Sequence, residues 1–162
     1  MTRNTVQSLV EHYGMTMQED GEGTFFARTY ESALKDASGT PLLSTMYGLY
    51  SAQPRSFSRF HRLTCDESWS FYEGDPLELH LIAPDGTYRR VVLGPCREAG
   101  QEYQHTIPAG TWQAGQLVEG GTYALYSCTV VPSFHEGCYE AGTEAALCAL
   151  CPAQTALIRA FV

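Results

Sequence analysis

The sequence predicts an all-β domain, on the evidence of its composition, its short strand-like segments and its turns. Its 162 residues are 44% hydrophobic and 17% charged, as is typical of a folded chain that buries one core. Between residues 24 and 131, short aromatic and β-branched segments recur at regular spacing. Turn signals separate them, among them Pro84-Asp85-Gly86, Pro108-Ala109-Gly110 and Glu119-Gly120-Gly121. Many short strands divided by turns predict a β-sandwich or a β-barrel.

Helical patterns flank the strand-rich region and complete a single domain of residues 1–162. Apolar residues recur at helical spacing over residues 1–14, which predicts an N-terminal helix. Residues 140–162 are rich in alanine and leucine and predict a helical extension, broken at Pro152. The barrel itself is expected at residues 24–131.

Each predicted strand carries aromatic or β-branched residues and is bounded by a turn or loop signal. The glycine-bearing segments 15–23 and 35–41 are expected to be loops. Residues 42–50 alternate poorly but are apolar and aromatic, which fits a buried strand. In chain order the predicted strands are 25–31, 42–50, 56–63, 69–72, 77–82, 88–93, 103–107, 112–118 and 122–131.

Charge and composition exclude several classes of partner. The net charge of −8 would be repelled by the phosphates of nucleic acids and by anionic membrane surfaces. Residues 1–11 lack the continuous apolar core of a signal peptide, and no run is long enough to span a membrane. We therefore expect a cytoplasmic protein with reduced cysteines and no nucleic-acid or membrane partner. Cys148 and Cys151 form a C-x-x-C pair, for which we expect a structural role.

Residues 60–77 concentrate polar chemistry beside aromatic side chains. Strand alternation places His61 and Leu63 on one side of a first segment, and Glu67, Trp69 and Phe71 on one side of a second. If the two segments pair, His61 and Glu67 meet on the inner face, beside aromatic walls that suit a small-molecule pocket. A partly exposed hairpin with ordinary charges explains the same spacing, and the pattern alone leaves both interpretations open.

Alternation also places Phe57, Arg59 and His61 on one face of a strand, so that Arg59 is expected near His61. An arginine at that position can hold an anionic group of a ligand.

The same stretch resembles the first cupin motif, G-x5-H-x-H-x3,4-E-x6-G. His61 fits the first histidine of the motif, Leu63 stands where the second histidine would be, and Glu67 fits the glutamate. The second motif, G-x5-P-x-G-x2-H-x3-N, resembles residues 108–113, which begin with Pro108-Ala109-Gly110 and have Gln113 in the place of the histidine.

Further motifs resemble a small cupin family catalogued as a domain of unknown function. They are an E-G-G-Y-F-x-x-T-Y-like stretch, F-H-R…D-E-x-W-H-F-Y-x-G-D-P-L, P-A-G-x-W-Q and C-T-V-x-P-x-F, and the match covers about residues 5–140. Ser70 replaces the family's usual histidine, and Thr24 replaces a glycine. The resemblance implies a double-stranded β-helix, the jelly-roll cupin barrel, with an N-terminal helix and C-terminal helical additions.

By resemblance, His61, Glu67 and Gln113 point into the barrel. Metal-binding cupins usually use three imidazoles and a carboxylate, whereas this set offers one imidazole, one carboxylate and one weak amide ligand. We therefore expect no required cofactor. A divalent metal, if one binds, would take His61, Glu67 and Gln113, and His80 or His105 could add an imidazole, although their facing is open.

The resemblance also implies a small-molecule-binding function. Metal-free sugar-nucleotide epimerases of the superfamily use a histidine base, so His61, oriented by Glu67, is the expected general acid or base. The other expected ligand-binding residues are Arg59, Leu63, Trp69, Phe71 and Gln113.

The sequence leaves several functions and assembly states open. One is an epimerase-like or isomerase-like acid–base enzyme on a sugar-like or other oxygenated metabolite. The alternatives are a non-catalytic binding or sensor module and a metal-dependent oxygenase or lyase. We expect a homodimer, because small cupins of this family tend to pair and the apolar residues 156–162 suggest a buried surface. Alternatively, that segment packs on its own barrel.

Overall fold

A computed structural model describes residues 5–17 and 23–162 as antiparallel strands with short helices at both ends. Within these residues, no helix is long and apolar enough to cross a membrane. In chain order the helices and strands are α1 (Thr5–Tyr13), β1 (Thr16–Met17), β2 (Phe25–Glu31), β3 (Ser44–Ser51), β4 (Ser58–Leu63), β5 (Asp66–Gly74), β6 (Leu77–Ile82), β7 (Tyr88–Leu93), β8 (Gln104–Ile107), β9 (Trp112–Leu117), β10 (Tyr123–Val131), β11 (Tyr139–Ala141), α2 (Glu144–Leu150) and α3 (Thr155–Ala160).

The strands form two sheets, which confirms the predicted jelly-roll barrel. The six-stranded sheet has the order β1-β2-β3-β10-β5-β8, and the five-stranded sheet has the order β11-β4-β9-β6-β7. All ladders between these strands are antiparallel. Most neighbouring strands, such as β3 and β10 or β4 and β9, come from distant parts of the chain, as in a Greek-key jelly roll.

The inner faces of the two sheets pack together and form the main core. Alternation along β6 turns Leu77, Leu79 and Leu81 inward, because successive side chains of a strand point to opposite faces. Gly48 on β3 leaves room for the ring of Tyr126, which a Cβ atom at this position would overlap. The buried members of this core are Tyr50, Trp69, Phe71, Leu77, Leu79, Leu81, Val91, Leu93, Ile107, Ala124, Tyr126 and Cys128.

The helices cover the outer faces of the sheets. Val6 of α1 packs with Met15, Leu49 and Leu125 on the six-stranded sheet. On the five-stranded sheet, the C-terminal residues Leu147, Ile158 and Phe161 are buried in one cluster with Phe60, Ile82 and Trp112. The apolar C-terminal segment therefore packs on its own barrel, and it no longer supports the predicted homodimer.

Several element boundaries differ from the prediction. β1 lies inside the predicted loop 15–23, and β11 lies at the start of the predicted extension 140–162. Both are very short edge strands, which depend on their partners more than on their own sequence. β5 extends well beyond the predicted 69–72, and residues 1–4 of the predicted first helix lie outside the described residues.

The segments that carry His61 and Glu67 do not pair as a hairpin. β4 pairs with β9 and β11, whereas β5 pairs with β10 and β8 in the other sheet. Thr64 and Cys65 cross from one sheet to the other. His61 and Glu67 therefore reach the interior from opposite sheets.

A register shift between Ser58 and His61 interrupts the alternation of β4. Ser58 faces the core and accepts a hydrogen bond from Tyr50 at 2.7 Å, whereas Phe57 packs with the C-terminal cluster on the outer face. The prediction that Phe57, Arg59 and His61 share one face is therefore wrong, because a bulge shifts the side-chain phase of a strand.

Candidate functional site

A chain of buried polar groups links the two sheets across the interior. Gln113 on β9 donates from Nε2 to Oε2 of Glu67 at 2.6 Å. Its Oε1 accepts from Nε1 of Trp69 at 3.2 Å. Because an indole N–H can only donate, the orientation of the Gln113 amide is determined. Glu67 is 6% exposed and Gln113 2% exposed, so the amide holds this carboxylate in place away from bulk water.

His61 is the cross-strand neighbour of Gln113 in the ladder between β4 and β9. Its Nδ1 lies 2.8 Å from the backbone oxygen of Arg59, which can only accept. Nδ1 therefore carries the proton of the neutral ring, and Nε2 is its basic nitrogen. The ring of Tyr139 stacks on the imidazole, with centroids 5.4 Å apart and planes inclined at 20°. Tyr139 was not among the predicted site residues, because it lies on β11, in a segment close to the predicted helical extension.

A cavity of about 120 Å³ lies in the barrel beside Glu67. Most of its wall is apolar, and charged side chains are contributed by Glu67 on β5 and Arg28 on β2. Its lining residues are Thr24, Phe26, Arg28, Ser44, Thr45, Met46, Leu63, Glu67, Cys128, Val130 and Phe134. Leu63 and Glu67 are thus the two predicted site residues that line it.

The other predicted site residues do not line this cavity. Trp69 and Phe71 belong to the main core, where Trp69 stacks on Tyr126 with centroids 4.5 Å apart. The guanidinium of Arg59 lies 5.5 Å from the ring centroid of Phe57 and close to Gly23. Arg59 is within the register shift between Ser58 and His61. Direct contacts of these three side chains with a ligand stay predictions, as do those of His61 and Gln113.

Most of the cavity lining was not predicted from the sequence, although one signal was available. Alternation along β2 places Thr24, Phe26 and Arg28 on one face, but the sequence does not show that this face is the inner one. Phe134 ends the C-T-V-x-P-x-F motif, but the motif does not indicate that its side chain lines the cavity, because Phe134 lies in an irregular segment after β10. Arg28 Nη2 donates to the Phe134 carbonyl at 3.0 Å, and the Phe134 N–H donates to Ser44 Oγ at 3.0 Å, so the segment is tied over the cavity.

His80 and His105 each have a hydrogen-bond partner of their own. His80, on the outer face of β6, is 2.9 Å from the Tyr88 hydroxyl through Nδ1 and packs its ring edge-to-face with Phe161. His105 Nδ1 is 2.9 Å from Oε2 of Glu102. The question of their facing, left open by the sequence, is thereby answered for His80.

The donor set at the cupin-motif positions does not fit a divalent metal. The Gln113 oxygen is taken by Trp69 and Leu63 offers no donor atom, which leaves the His61 imidazole and the Glu67 carboxylate as the two ligands that these positions can supply. Across residues 5–17 and 23–162, no three His, Cys, Asp or Glu side chains come together in a way that could hold a metal ion. Protein sites for divalent metals normally supply more imidazole or carboxylate than this.

A two-sheet jelly roll with a polar chain and a cavity in its interior defines a cupin-type barrel. The chain belongs to the family described as Cupin superfamily (DUF985), whose family model matches residues 7–141. No curated protein sequence matches the chain.

Solved structures agree with this assignment. A hypothetical protein from Leishmania major is 30% identical with a TM-score of 0.87, and the match covers 98% of this chain and 99% of that one. A crystal structure from Shewanella oneidensis is 28% identical with a TM-score of 0.86 over 96% and 95% of the two chains. Oxalate decarboxylase from Bacillus subtilis, 12% identical with a TM-score of 0.53 over 88% of this chain and 36% of that one, shares the fold alone.

Proposed function

We propose that this protein binds a small organic molecule in the cavity bordered by Leu63 and Glu67. The observation that carries the proposal is a buried carboxylate, oriented by Gln113, in the wall of a mainly apolar cavity inside the barrel. Ligand pockets commonly combine apolar walls with a few well-placed polar groups. Burying a carboxylate costs free energy, and a ligand that donates a hydrogen bond to Glu67 would offset part of this cost.

A cavity-filling variant with a matched control tests this proposal. Val130 lines the cavity, whereas the neighbouring Val131 is 48% exposed on the other face of β10. A fragment collection is screened by ligand-observed NMR against the wild type, Val130→Phe and Val131→Phe. We expect fragments that bind the wild type to bind Val131→Phe as well but not to bind Val130→Phe. Binding that persists in Val130→Phe would contradict the proposal.

A second candidate function is acid–base catalysis on the bound molecule. The specific observation that favours it is that Glu67, a carboxylate in the cavity wall, is hydrogen-bonded to Gln113, the cross-strand neighbour of His61. In this proposal Glu67 or His61 moves a proton of the ligand, as the sequence-based hypothesis of an epimerase-like or isomerase-like enzyme requires.

Hydrogen exchange separates an enzyme from a non-catalytic binding module. Fragments that bind are incubated with the protein in D2O, and deuterium incorporation at carbon is followed by NMR. An enzyme gives exchange that is lost in His61→Ala or Glu67→Gln and survives a chelator. Binding without exchange supports the non-catalytic module, and exchange that needs one added metal per chain supports the metal-dependent alternative.

Two further expectations remain proposals, namely a homodimer and a cytoplasmic location. Tyr30, Leu34 and Leu42 are large apolar side chains exposed on and beside β2, and they are candidates for the dimer surface in place of the C-terminal segment. A monomeric mass by light scattering at micromolar concentration would contradict the dimer.

A further inference from the structure

The wall of the cavity favours a hydrocarbon body over a carbohydrate. Side chains of several elements contribute apolar surface, namely Phe26, Met46, Leu63, Val130 and Phe134. Three hydroxyl side chains also line the cavity, Thr24, Ser44 and Thr45, but each already has a hydrogen-bond partner within the protein. A sugar would bring a hydroxyl on nearly every carbon, and each buried hydroxyl without a hydrogen-bond partner costs free energy. A ligand that matches this wall therefore carries its polar groups at its ends.

The β2 side of the cavity presents a positioned cation. Arg28 donates from Nη1 to Oε2 of Glu31 at 2.8 Å and from Nη2 to the Phe134 carbonyl, and its side chain is 45% exposed. Ser133 Oγ also donates to the same Glu31 oxygen at 2.9 Å, so this carboxylate is held by two partners. A guanidinium has five N–H donors, and those not used here suit a carboxylate of a ligand at the mouth.

The β5 side of the cavity presents an acceptor, the buried carboxylate of Glu67. The Glu67 carboxylate accepts from Gln113 at one oxygen, and a carboxylate has about four lone-pair positions, so it can accept from a ligand in addition. The group that fits it is a hydrogen-bond donor such as a hydroxyl.

Strand spacing sets the length of a ligand that reaches both ends. β2 and β5 are separated by β3 and β10, so three spacings of about 4.8 Å place these two strands about 14 Å apart before sheet curvature is considered. Arg28 is in register with Trp69, two residues from Glu67, which lengthens the separation of the Cα atoms of Arg28 and Glu67. Both side chains extend into the cavity and shorten the gap between their charged groups. A chain of several carbons spans what remains.

We propose that the cavity takes a small amphiphilic hydroxy acid, with its carboxylate on Arg28, its hydrocarbon chain along the apolar wall and its hydroxyl donating to Glu67. This ligand class rests on the proposed small-molecule-binding function.

The test begins with ω-hydroxy acids of about four to eight carbons, titrated by calorimetry to find the best length. The best acid is then compared with its primary amide, which lacks the negative charge, and with its ω-methoxy ether, which lacks the hydroxyl donor. We expect the wild type to prefer the hydroxy acid over each analogue by about tenfold, since each loses one hydrogen bond to a charged group.

Two variants assign each preference to its residue. Arg28→Gln is expected to abolish the preference for the acid over the amide and to keep the preference for the hydroxyl over the ether. Glu67→Gln is expected to abolish the preference for the hydroxyl over the ether and to keep the preference for the acid over the amide. The reason is that the glutamine amide can donate to an ether oxygen and still accept from Gln113. Arg89→Gln is the matched control, since Arg89 is exposed and contacts Glu102 outside the cavity.

The outcomes separate this inference from the proposed function. If both preferences survive in Arg28→Gln and Glu67→Gln, or if other fragments bind the cavity and no hydroxy acid does, the ligand class is wrong and the binding function stands. If nothing binds the wild-type cavity, both proposals fail. Urea unfolding of each variant confirms that a lost preference reflects the site and not a lost fold.

Discussion

At the scale of single residues, the interior is organised by the donor and acceptor capacity of a few side chains. Gln113 is the central one, since its amide donates to Glu67 and accepts from Trp69 at the same time. A histidine at this position would place its donor and its acceptor on a rigid ring with a different geometry, and an aliphatic residue would offer neither. The amide therefore suits a site built on hydrogen bonds between the two sheets.

Replacing Gln113 by leucine should destabilise the protein by about 3 kcal/mol, because Glu67 and Trp69 each lose a buried hydrogen-bond partner. The free energy of unfolding is measured by urea denaturation. Gln104→Leu is the control, since Gln104 donates to Ser68 on the exposed face and its loss should cost about 1 kcal/mol or less. Equal effects of the two variants would contradict a structural role for the Gln113 amide.

The double variant L63H/Q113H should bind a divalent metal that the wild type does not retain. Leu63 and Gln113 both face the interior and stand where cupin motifs have histidines, so the variant adds two imidazoles to His61 and Glu67. Metal content after dialysis against manganese or nickel is measured by mass spectrometry. Each single variant serves as a control, and a metal-free double variant would show that the interior cannot present these side chains together.

Cys65 should be far less reactive than Cys96 toward alkylation. Burial, reinforced by a hydrogen bond with the Cys138 thiol, raises the pKa of Cys65 to about 11, whereas Cys96 is exposed. The thiolate is the reactive form, and it is rare at Cys65 in mildly alkaline solution. Peptide mass spectrometry during an iodoacetamide time course is the measurement. Cys96→Ser should remove the fastest phase, and alkylation of Cys65 at the rate of Cys96 would contradict the prediction.

At the scale of elements, the C-terminal helices act as a cover for the outer face of the five-stranded sheet. Thr143 caps α2 by accepting from the Ala146 N–H, and the Phe60 N–H donates to the Phe161 carbonyl at 2.7 Å. The segment is thus fixed at both its start and its end. Packing of its apolar face on the sheet supplies most of the stability of such short helices.

Truncating Phe161 to alanine should cost about 3–5 kcal/mol, because its ring is buried against Phe57, Phe60 and His80. Val162→Ala, at a more exposed position, should change the free energy of unfolding by about 0.5 kcal/mol or less. Urea denaturation gives both values. Light scattering should show that Phe161→Ala keeps the oligomeric mass of the wild type, and a change of mass would place this segment in an interface after all.

At the scale of the whole molecule, the buried His80 makes stability depend on pH. Burial lowers the pKa of His80 below its ordinary value of 6.5, Glu78 opposes this shift, and Arg90 adds to it. The unfolded chain therefore gains its proton at higher pH than the folded one. The contribution of the neutral His80 to the free energy of unfolding is fully present above pH 6.5 and is lost as the pH falls below it.

Replacing His80 by glutamine should flatten the dependence of the unfolding free energy on pH between about pH 7 and pH 5. Urea denaturation at several pH values is the measurement, and His12→Gln on the exposed side of α1 is the control. Glu78 does not interfere, because hydrogen bonds from Gln116 and Arg90 outweigh burial and hold its pKa below 4.5. An unchanged slope in His80→Gln would contradict the assignment.

The sequence by itself determined the fold class, most strand positions and the residues at the cupin-motif positions. Turn residues and side-chain alternation are local properties, so Leu77, Leu79 and Leu81 were readable as one face of a strand without knowledge of the partner strands. Glu67 and Leu63 were likewise identified as site candidates, and both line the cavity.

Only the tertiary structure decided which segments became neighbours. It separated β4 from β5, introduced the register shift before His61 and brought Arg28 and Phe134 to the cavity that contains Glu67. These features depend on pairing between strands far apart in the chain. Local pattern carries little information about such long-range pairing, because the energy that selects it comes from packing and hydrogen bonds between the sheets as a whole.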